Sequence, residues 1–300
     1  MERTLRNAFI DEITTLAETN PQIALIVGDL GFNVVERFAE RFPDRFINAG
    51  VAEQNMTGLA AGMASEGYHV FTYSIANFPT FRCAEQIRNT VDYHRLPVTI
   101  VSVGAGLAYG SAGYSHHAVQ DYALMRSMPA MTIAAPGDPL EVRACLRWLV
   151  NNPGPSYLRL GKAGEVEFHA AVPVVEPGRW LVLRESEHML LSTGAALAAA
   201  IERAETTHAG HGVATAPLWS MASKRNQPEM LAQYDSVTTL EDHLIDGGFG
   251  SWMLEAATAR PELLPRIHPI ALDPVVCGMV GSQSILNRAG GLTPPLAAAS

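Results

Sequence analysis

The stretch RFINAGVAEQNMTGLAAGMASEGYHVFTY, residues Arg45 to Tyr73, sets the fold. Arg45–Asn48 is short and β-rich, and Ala49-Gly50 makes a turn. Glu53 to Ser65 then reads as a helix, and His69–Tyr73 as a second, apolar strand. A strand, a helix and a strand with little polar alternation form a βαβ unit, whose strands lie parallel and are covered on both faces. The helix is rich in small residues (Gly58, Ala60, Ala61, Gly62 and Ala64), which permit close approach of a neighbouring helix or subunit. Taken alone, Glu53 is a first-turn acid that complements the helix dipole.

The rhythm extends outward from this unit. Further strands are predicted at Ala24–Val27, Val98–Val103, Met131–Ala134 and Tyr157–Leu160. Helices are predicted near Val34–Phe42, Thr80–Tyr93, Gln120–Met125 and Pro139–Val150. The rhythm breaks between Gly161 and Pro177, where AAVPVVEPG reads as a linker. It resumes with strands at Trp180–Leu183, Met189–Leu191, Val213–Ala216, Val237–Leu240 and Arg266–Ala271, and helices over Ala195–Ala204 and from Phe249. The expected fold is α/β with two doubly wound domains. A mostly parallel-sheet domain spans residues 1–165, a linker residues 166–178, and a smaller α/β domain residues 179–300. The Pro217–Trp219 segment reads as a turn, the Glu241/His243 pair as structural, and Leu292 to Ser300 as a frayed tail.

Composition narrows the function. A net charge of −9 with no basic stripe speaks against nucleic-acid binding. Cys83, Cys145 and Cys277 are too dispersed for a disulfide framework or a zinc knuckle, and neither HxH nor HExxH occurs. No metal ligand set is therefore assigned to this chain. The N-terminal MERTLRNAFIDEITTLAE is an amphipathic helix rather than a signal peptide, and no apolar run approaches the roughly 18 residues that span a membrane. A cytoplasmic protein without a membrane partner is expected.

Three segments carry candidate chemistry. In YSIANFPTFRCAEQIRN (73–89), Tyr73, Phe78 and Phe81 cluster beyond a strand end, where α/β sheets bind ligands. Their rings could stack on a flat heterocycle or simply pack the next helix. VSVGAGLAYGSAGYSHHAVQD (101–121) is a strand, a Gly-rich loop, the His116–His117 pair and a helix. It matches neither the dinucleotide nor the P-loop spacing, and one histidine suits proton transfer or hydrogen bonding. SYLRLGKAG (156–164) ends a strand with Arg159 and Lys162, cations that could hold a phosphate or a carboxylate or stay in solvent.

In this order the segments resemble the pyrimidine-binding and C-terminal domains of transketolases and 1-deoxyxylulose-5-phosphate synthases. The resemblance rests on GVAEQNM continuing to GMA, on NFPTFRCAEQIRN, on GYSHH, on MRSMPAMTIAAPGDP and on GPSYLRLGK. In the second half it rests on LLSTGAAL and TTLEDHLIDGGFGS. It covers nearly the whole chain. It implies that Glu53 is the acid that hydrogen-bonds the pyrimidine ring of thiamine diphosphate, in a partly apolar surround supplied by Val51, Ala52 and Met56. It implies that Asp29 and Leu30 form the short loop beside the cofactor and that Phe78 and Phe81 are pocket aromatics. His116 is implied to be the active-site loop histidine, with Arg6, His117 and Lys162 contacting substrate.

The chain lacks the GDG…N segment with which thiamine enzymes hold the diphosphate and its metal. The resemblance therefore implies one subunit of a split transketolase. It implies that a diphosphate-binding N-terminal subunit holds Mg2+ or Ca2+, that two chains of each kind form the hetero-oligomer, and that the substrate is a small sugar. Ser111, Ala112 and Gly104 stand where the family carries sugar-reading acids and a histidine, and Lys162 where it carries an arginine. These departures put a standard pentose-phosphate pair in doubt and suit a modified sugar. Rival readings are a subunit that decarboxylates a 2-oxo acid, a non-catalytic regulatory subunit, and a flavodoxin-like nucleotide binder.

Overall fold

The computed structural model describes residues 4–162 and 166–295, and the domain boundary expected at residue 165 falls outside them. The first sheet has the order β10-β5-β6-β4-β3-β1-β2. Its strands are β1 (Ile23–Val27), β2 (Phe46–Asn48), β3 (His69–Ile75), β4 (Val98–Val103), β5 (Thr132–Ala134), β6 (Ser156–Leu160) and β10 (Leu218–Ser220). The second has the order β12-β11-β8-β9-β7. It comprises β7 (Leu181–Arg184), β8 (His188–Ser192), β9 (Gly212–Thr215), β11 (Ser236–Leu244) and β12 (Ile267–Leu272). Pairing is parallel except for β10 on β5 and β7 on β9.

The first sheet is a central layer with a core on each face. Leu25, Phe71 and Val101 pack under helices α1 (Leu5–Thr19) and α6 (Pro139–Asn151). Their neighbours Ile26, Val70 and Ile100 face the opposite way, onto Met56, Ala60 and Ala64 of α3 (Glu53–Ser65). Adjacent strand residues point to opposite faces, so apolar runs are what a doubly covered sheet requires. α1 starts at the Thr4 cap, whose side chain accepts from Asn7 N, and α6 at the Asp138 cap with Pro139 in its first turn. Glu12 joins these two helices by accepting from Arg143 (2.9 Å) and Arg147 (2.7 Å).

Two segments depart from expectation. Thr80–Tyr93 is not one α-helix. It is a 3-10 turn at Phe81–Cys83, a single α turn α4 (Ala84–Gln86) and a π-helical turn at Ile87–Asp92. The π turn lets Val91 and Asp92 be buried while Tyr93 stays 78% exposed. Pro217–Trp219 is not merely a turn. Leu218–Ser220 forms β10, which pairs with β5 through Leu218↔Ala134, Trp219↔Ile133 and Ser220↔Thr132. The second half of the chain thus completes the edge of the first sheet, and Trp219 anchors it among Tyr122, Phe249 and Trp252. The connecting segment is itself packed, with Val175 and Trp180 buried.

The same segment is tied to α6 at its N-terminus. Asp138 accepts from the backbone N–H groups of Phe168 (2.9 Å) and His169 (3.0 Å) and lies 3.0 Å from His169 Nδ1. Burial alone raises the Asp138 carboxyl, but these hydrogen bonds prevail and hold it at about 2. Burial lowers the His169 imidazole, and its bond to Asp138 more than offsets this, leaving it above the ordinary 6.5. The depressed acid stabilises the fold above its ordinary 3.8 and loses that contribution as pH falls toward about 2. The elevated histidine stabilises it below 6.5 and loses that contribution as pH rises through the folded value. His169→Ala is therefore expected to lower the urea midpoint most near pH 5, with the gap to wild type narrowing by pH 8 to 9. A gap that does not change with pH would contradict a charged tether.

Candidate active site

The chain leaves β1 for β2 on one side and returns to β3 on the other, so the strand order reverses between β1 and β3. In open α/β sheets the crevice beyond such a reversal is where ligands bind. Three segments border it here: Gly28–Leu30 after β1, the start of α3 after β2, and Ala76–Phe78 after β3. Gly28 sits between the latter two, and a Cβ on it would lie 3.4 Å from Ser74 Oγ and 3.7 Å from Glu53 Cγ.

Glu53 is the first residue of α3 and is 2% exposed. Burying a carboxylate requires compensation. Arg82 supplies it by donating from Nη1 to Glu53 Oε2 at 2.7 Å. Gln54 donates to the Arg82 carbonyl at 3.0 Å, which ties the arginine's backbone to α3. The Arg82 guanidinium lies over the Phe78 ring, 4.6 Å from its centroid. The surround of Glu53 thus differs from the expected apolar one. Met56 is buried, but Val51 and Ala52 face solvent because they precede the helix, and a cation takes their place.

From Phe78 a line of side chains runs along the carboxyl ends of the strands. The Phe78 and His116 rings meet edge to face at 5.3 Å, and His116 and Tyr109 are 6.3 Å apart. Lys162 Nζ lies 4.7 Å from the Tyr109 centroid. Burial raises the Tyr109 hydroxyl, and the nearby Arg6 charge draws it partly back. Arg6 Nε is buried without a hydrogen-bond partner. A buried carboxylate at one end and two cations at the other can bind a molecule with a basic ring and an anionic tail. Phe81, 45% exposed, lies beside this line on the rim of a cavity of about 510 Å³ also lined by Asn77, Tyr114, Ser115 and Gln120.

The structure brings together Arg6, Glu53, Phe78, His116 and Lys162, and sets Asp29 and Leu30 at the β1 end of the same crevice. Asp29 is exposed, adopts φ 54° and accepts from Asn48 Nδ2 at 2.9 Å, while Leu30 packs partly into the core. His117 is a correction. It is fully buried, with Nε2 3.4 Å from the Gly110 carbonyl, so it supports the loop and does not face a substrate. Arg159 is another. Its guanidinium is unexposed and paired with Asp121 and Asp242, which leaves no free donor set for a phosphate. Gly104, at φ 95°, is covered by the Tyr109 ring, 2.2 Å from where a Cβ would stand, so no side chain fits there. Sequence reasoning missed Arg82 and Tyr109. The basic residue following Phe81 was a signal for the first, but nothing local marked the second.

Among the described residues no group of three or more His, Cys, Asp or Glu side chains is placed to hold a metal ion, and no helix is long and apolar enough to cross a membrane. The family model for the transketolase pyrimidine-binding domain matches residues 1–164. A 6-deoxy-6-sulfo-D-fructose transketolase subunit of Clostridium sp. (strain MSTE9) is 31% identical over 97% of this chain and 91% of its own length. A 1-deoxy-D-xylulose-5-phosphate synthase of Pelotomaculum thermopropionicum is 31% identical over 92% of this chain, which spans 44% of the synthase. Among solved structures, a split-gene transketolase described as an inactive β4 tetramer superposes with a TM-score of 0.83 at 31% identity. The match covers 98% of this chain and 95% of that one.

The Glu53–Arg82 pair gives a direct test of this geometry. A double-mutant cycle with Glu53→Gln, Arg82→Met and the double variant, read by urea unfolding of the full chain, is expected to give a favourable coupling of about 1 kcal/mol. The value is held down by the solvent around the half-exposed arginine. A coupling of zero would contradict the pair.

Proposed function

The chain belongs to the transketolase family through its pyrimidine-binding domain, and on that premise we propose that it is one subunit of a split, thiamine-diphosphate-dependent transketolase. The single observation that carries the reading is Glu53, a buried acid at the sheet's topological switch point beside the aromatic Phe78. When bound, thiamine diphosphate supplies the nucleophilic carbon through which a two-carbon ketol unit passes from a ketose to an aldehyde.

The residues here fit the cofactor's pyrimidine end. Glu53 holds a proton at a ring nitrogen, a task for a carboxyl kept from water. Phe78 and Phe81 offer ring faces for an aminopyrimidine, with Asp29 and Leu30 at the crevice mouth. Next along the line, His116 hydrogen-bonds substrate oxygens. Lys162 and Arg6, at the far end, attract an anionic terminus such as a phosphate or a sulfonate. Lysine does so as a point charge rather than a bidentate fork, which tolerates more than one anion geometry. A partner subunit holds the diphosphate and its Mg2+ or Ca2+, and an assembly of two chains of each kind completes the sites. The enzyme would work in the cytoplasm.

The likeness of nearly the whole chain to a relative named as a transketolase subunit favours ketol transfer over 2-oxo acid decarboxylation. Carbon dioxide release from pyruvate by the assembled complex would reverse that preference.

In the complex with its partner, Glu53→Gln and Glu53→Ala are expected to lower turnover by more than about 100-fold, with the circular dichroism and assembly of the complex unchanged. Turnover retained by either variant would remove Glu53 from the chemistry. Lys162→Met is expected to raise KM for a phosphate- or sulfonate-bearing ketose about tenfold with kcat nearly unchanged. An unaltered KM would place the anionic terminus elsewhere.

A further inference from the structure

The second sheet has a topological switch point of its own. From β8 the chain passes to β9 on one side and later to β11 on the other, so a crevice opens beyond the carboxyl ends of β8 and β11. Side chains of the first domain fill it. Gly194, just past β8, lies so close to them that a Cβ would stand 3.0 Å from Tyr122 Oη and 3.6 Å from Arg159 Nη1. Asp242, on β11, accepts from Arg159 twice, through its carboxylate on Nη1 and through its backbone carbonyl on Nη2 at 3.2 Å. The place where such a domain would bind a ligand grips a guanidinium from its neighbour.

That guanidinium also reaches the active-site loop. Arg159 Nε donates to Asp121 at 2.7 Å, and Nη2 donates to the Ala118 carbonyl at 2.7 Å. Ala118 follows His116 and His117 and closes their loop by a two-way bridge to Gly106, at 3.0 and 2.8 Å. Gly106 lies directly on Asp242, since a Cβ there would be 2.4 Å from Asp242 Oδ2. Both feet of the loop therefore rest on one carboxylate, one foot directly and the other through Arg159.

We infer that Asp242 of the second domain is a positioning residue for the loop that carries His116, acting through Arg159 and the Ala118 carbonyl. The inference rests on the reading of His116 as substrate-facing. A guanidinium is a rigid planar fork, so fixing Nε and Nη1 on two carboxylates also fixes where Nη2 points. With Asp242 uncharged, Asp121 remains but the fork can turn, and Ala118 loses a donor held at a set angle.

The test uses Asp242→Asn and, as a second variant, Arg159→Lys, which keeps a charge but loses the fork. Amide hydrogen exchange is measured on the full chain well below its unfolding temperature. Exchange across residues 104–118 is expected to rise about tenfold while β3 and β4 stay unchanged. In the complex with the partner, kcat is expected to fall about tenfold with the thiamine diphosphate Kd within about twofold of wild type. Exchange that rises equally everywhere would make Asp242 purely structural and overturn the inference. So would a loop that does not loosen, or one that loosens with kcat intact. The exchange measurement needs no cofactor. A wild-type complex without ketol transfer would therefore defeat the proposed function, and the catalytic half of this inference with it, while the loop result would stand on its own.

Discussion

A guanidinium with no exposure to water must have its donors satisfied, and in this protein Arg159, on the first sheet, meets that demand with Asp121 at a helix start and Asp242 on the second sheet. Breaking such a buried pair is strongly destabilising because it strands a charge. The arrangement therefore fixes more than one local contact. Asp121, which opens the short helix Asp121–Met125, is held beside Tyr157 of the first sheet, Ala118 in the loop above it, and Asp242 on the second sheet. Beside it, burial pushes Glu241 up to about 8 even though it accepts from Phe249 N and Gly250 N, at the start of α9 (Phe249–Ala257). The ionic cluster and the cap of that helix are thus one polar unit inside an apolar interface, continued by Trp219 and Trp252.

This coupling bears on how the crevice is held ready. The crevice between β1 and β3 offers an acid, aromatic faces and distant cations. The fold supplies these from five separate segments, and what aligns them is the rigidity of the sheet beneath. Glu53 stays ordered because Arg82 offsets its charge, and Phe78 is held between that arginine and His116. The His116 loop is tied to the sheet where it starts, through Gly104 N and Ala105 N on the Leu160 carbonyl, and where it ends, through the Ala118 carbonyl on Arg159, itself held by Asp242.

Much of this was legible in the sequence, for a physical reason. β1, β3, β4 and β6 are buried on both faces, so their apolar runs stand out against the helices that cover them. Glu53 was singled out only through the resemblance of its whole segment, because by itself an acid that opens a helix after a Gly turn reads as a partner of the helix dipole. The misreadings share a cause, which is dependence on residues far along the chain. Arg159 looked like a strand-end cation because its partners Asp121 and Asp242 lie 38 and 83 positions away. His116 and His117 are alike in sequence, and only tertiary packing buries the second. β10 is three residues long beside a proline, and it is a strand only because β5 offers an edge. The uneven helix after Phe81 is a compromise between burying Val91 and reaching the next strand, which periodicity alone does not encode.

The central claim is that this chain is half of a shared site. The most direct measurement is to isolate the tagged chain gently from its native cells, identify what accompanies it, and titrate the material with thiamine diphosphate and Mg2+. The account predicts a near-equimolar partner carrying a GDG…N segment, and saturable cofactor binding by the two together. A chain that isolates alone and binds no thiamine diphosphate at any concentration of cofactor and Mg2+ would contradict it.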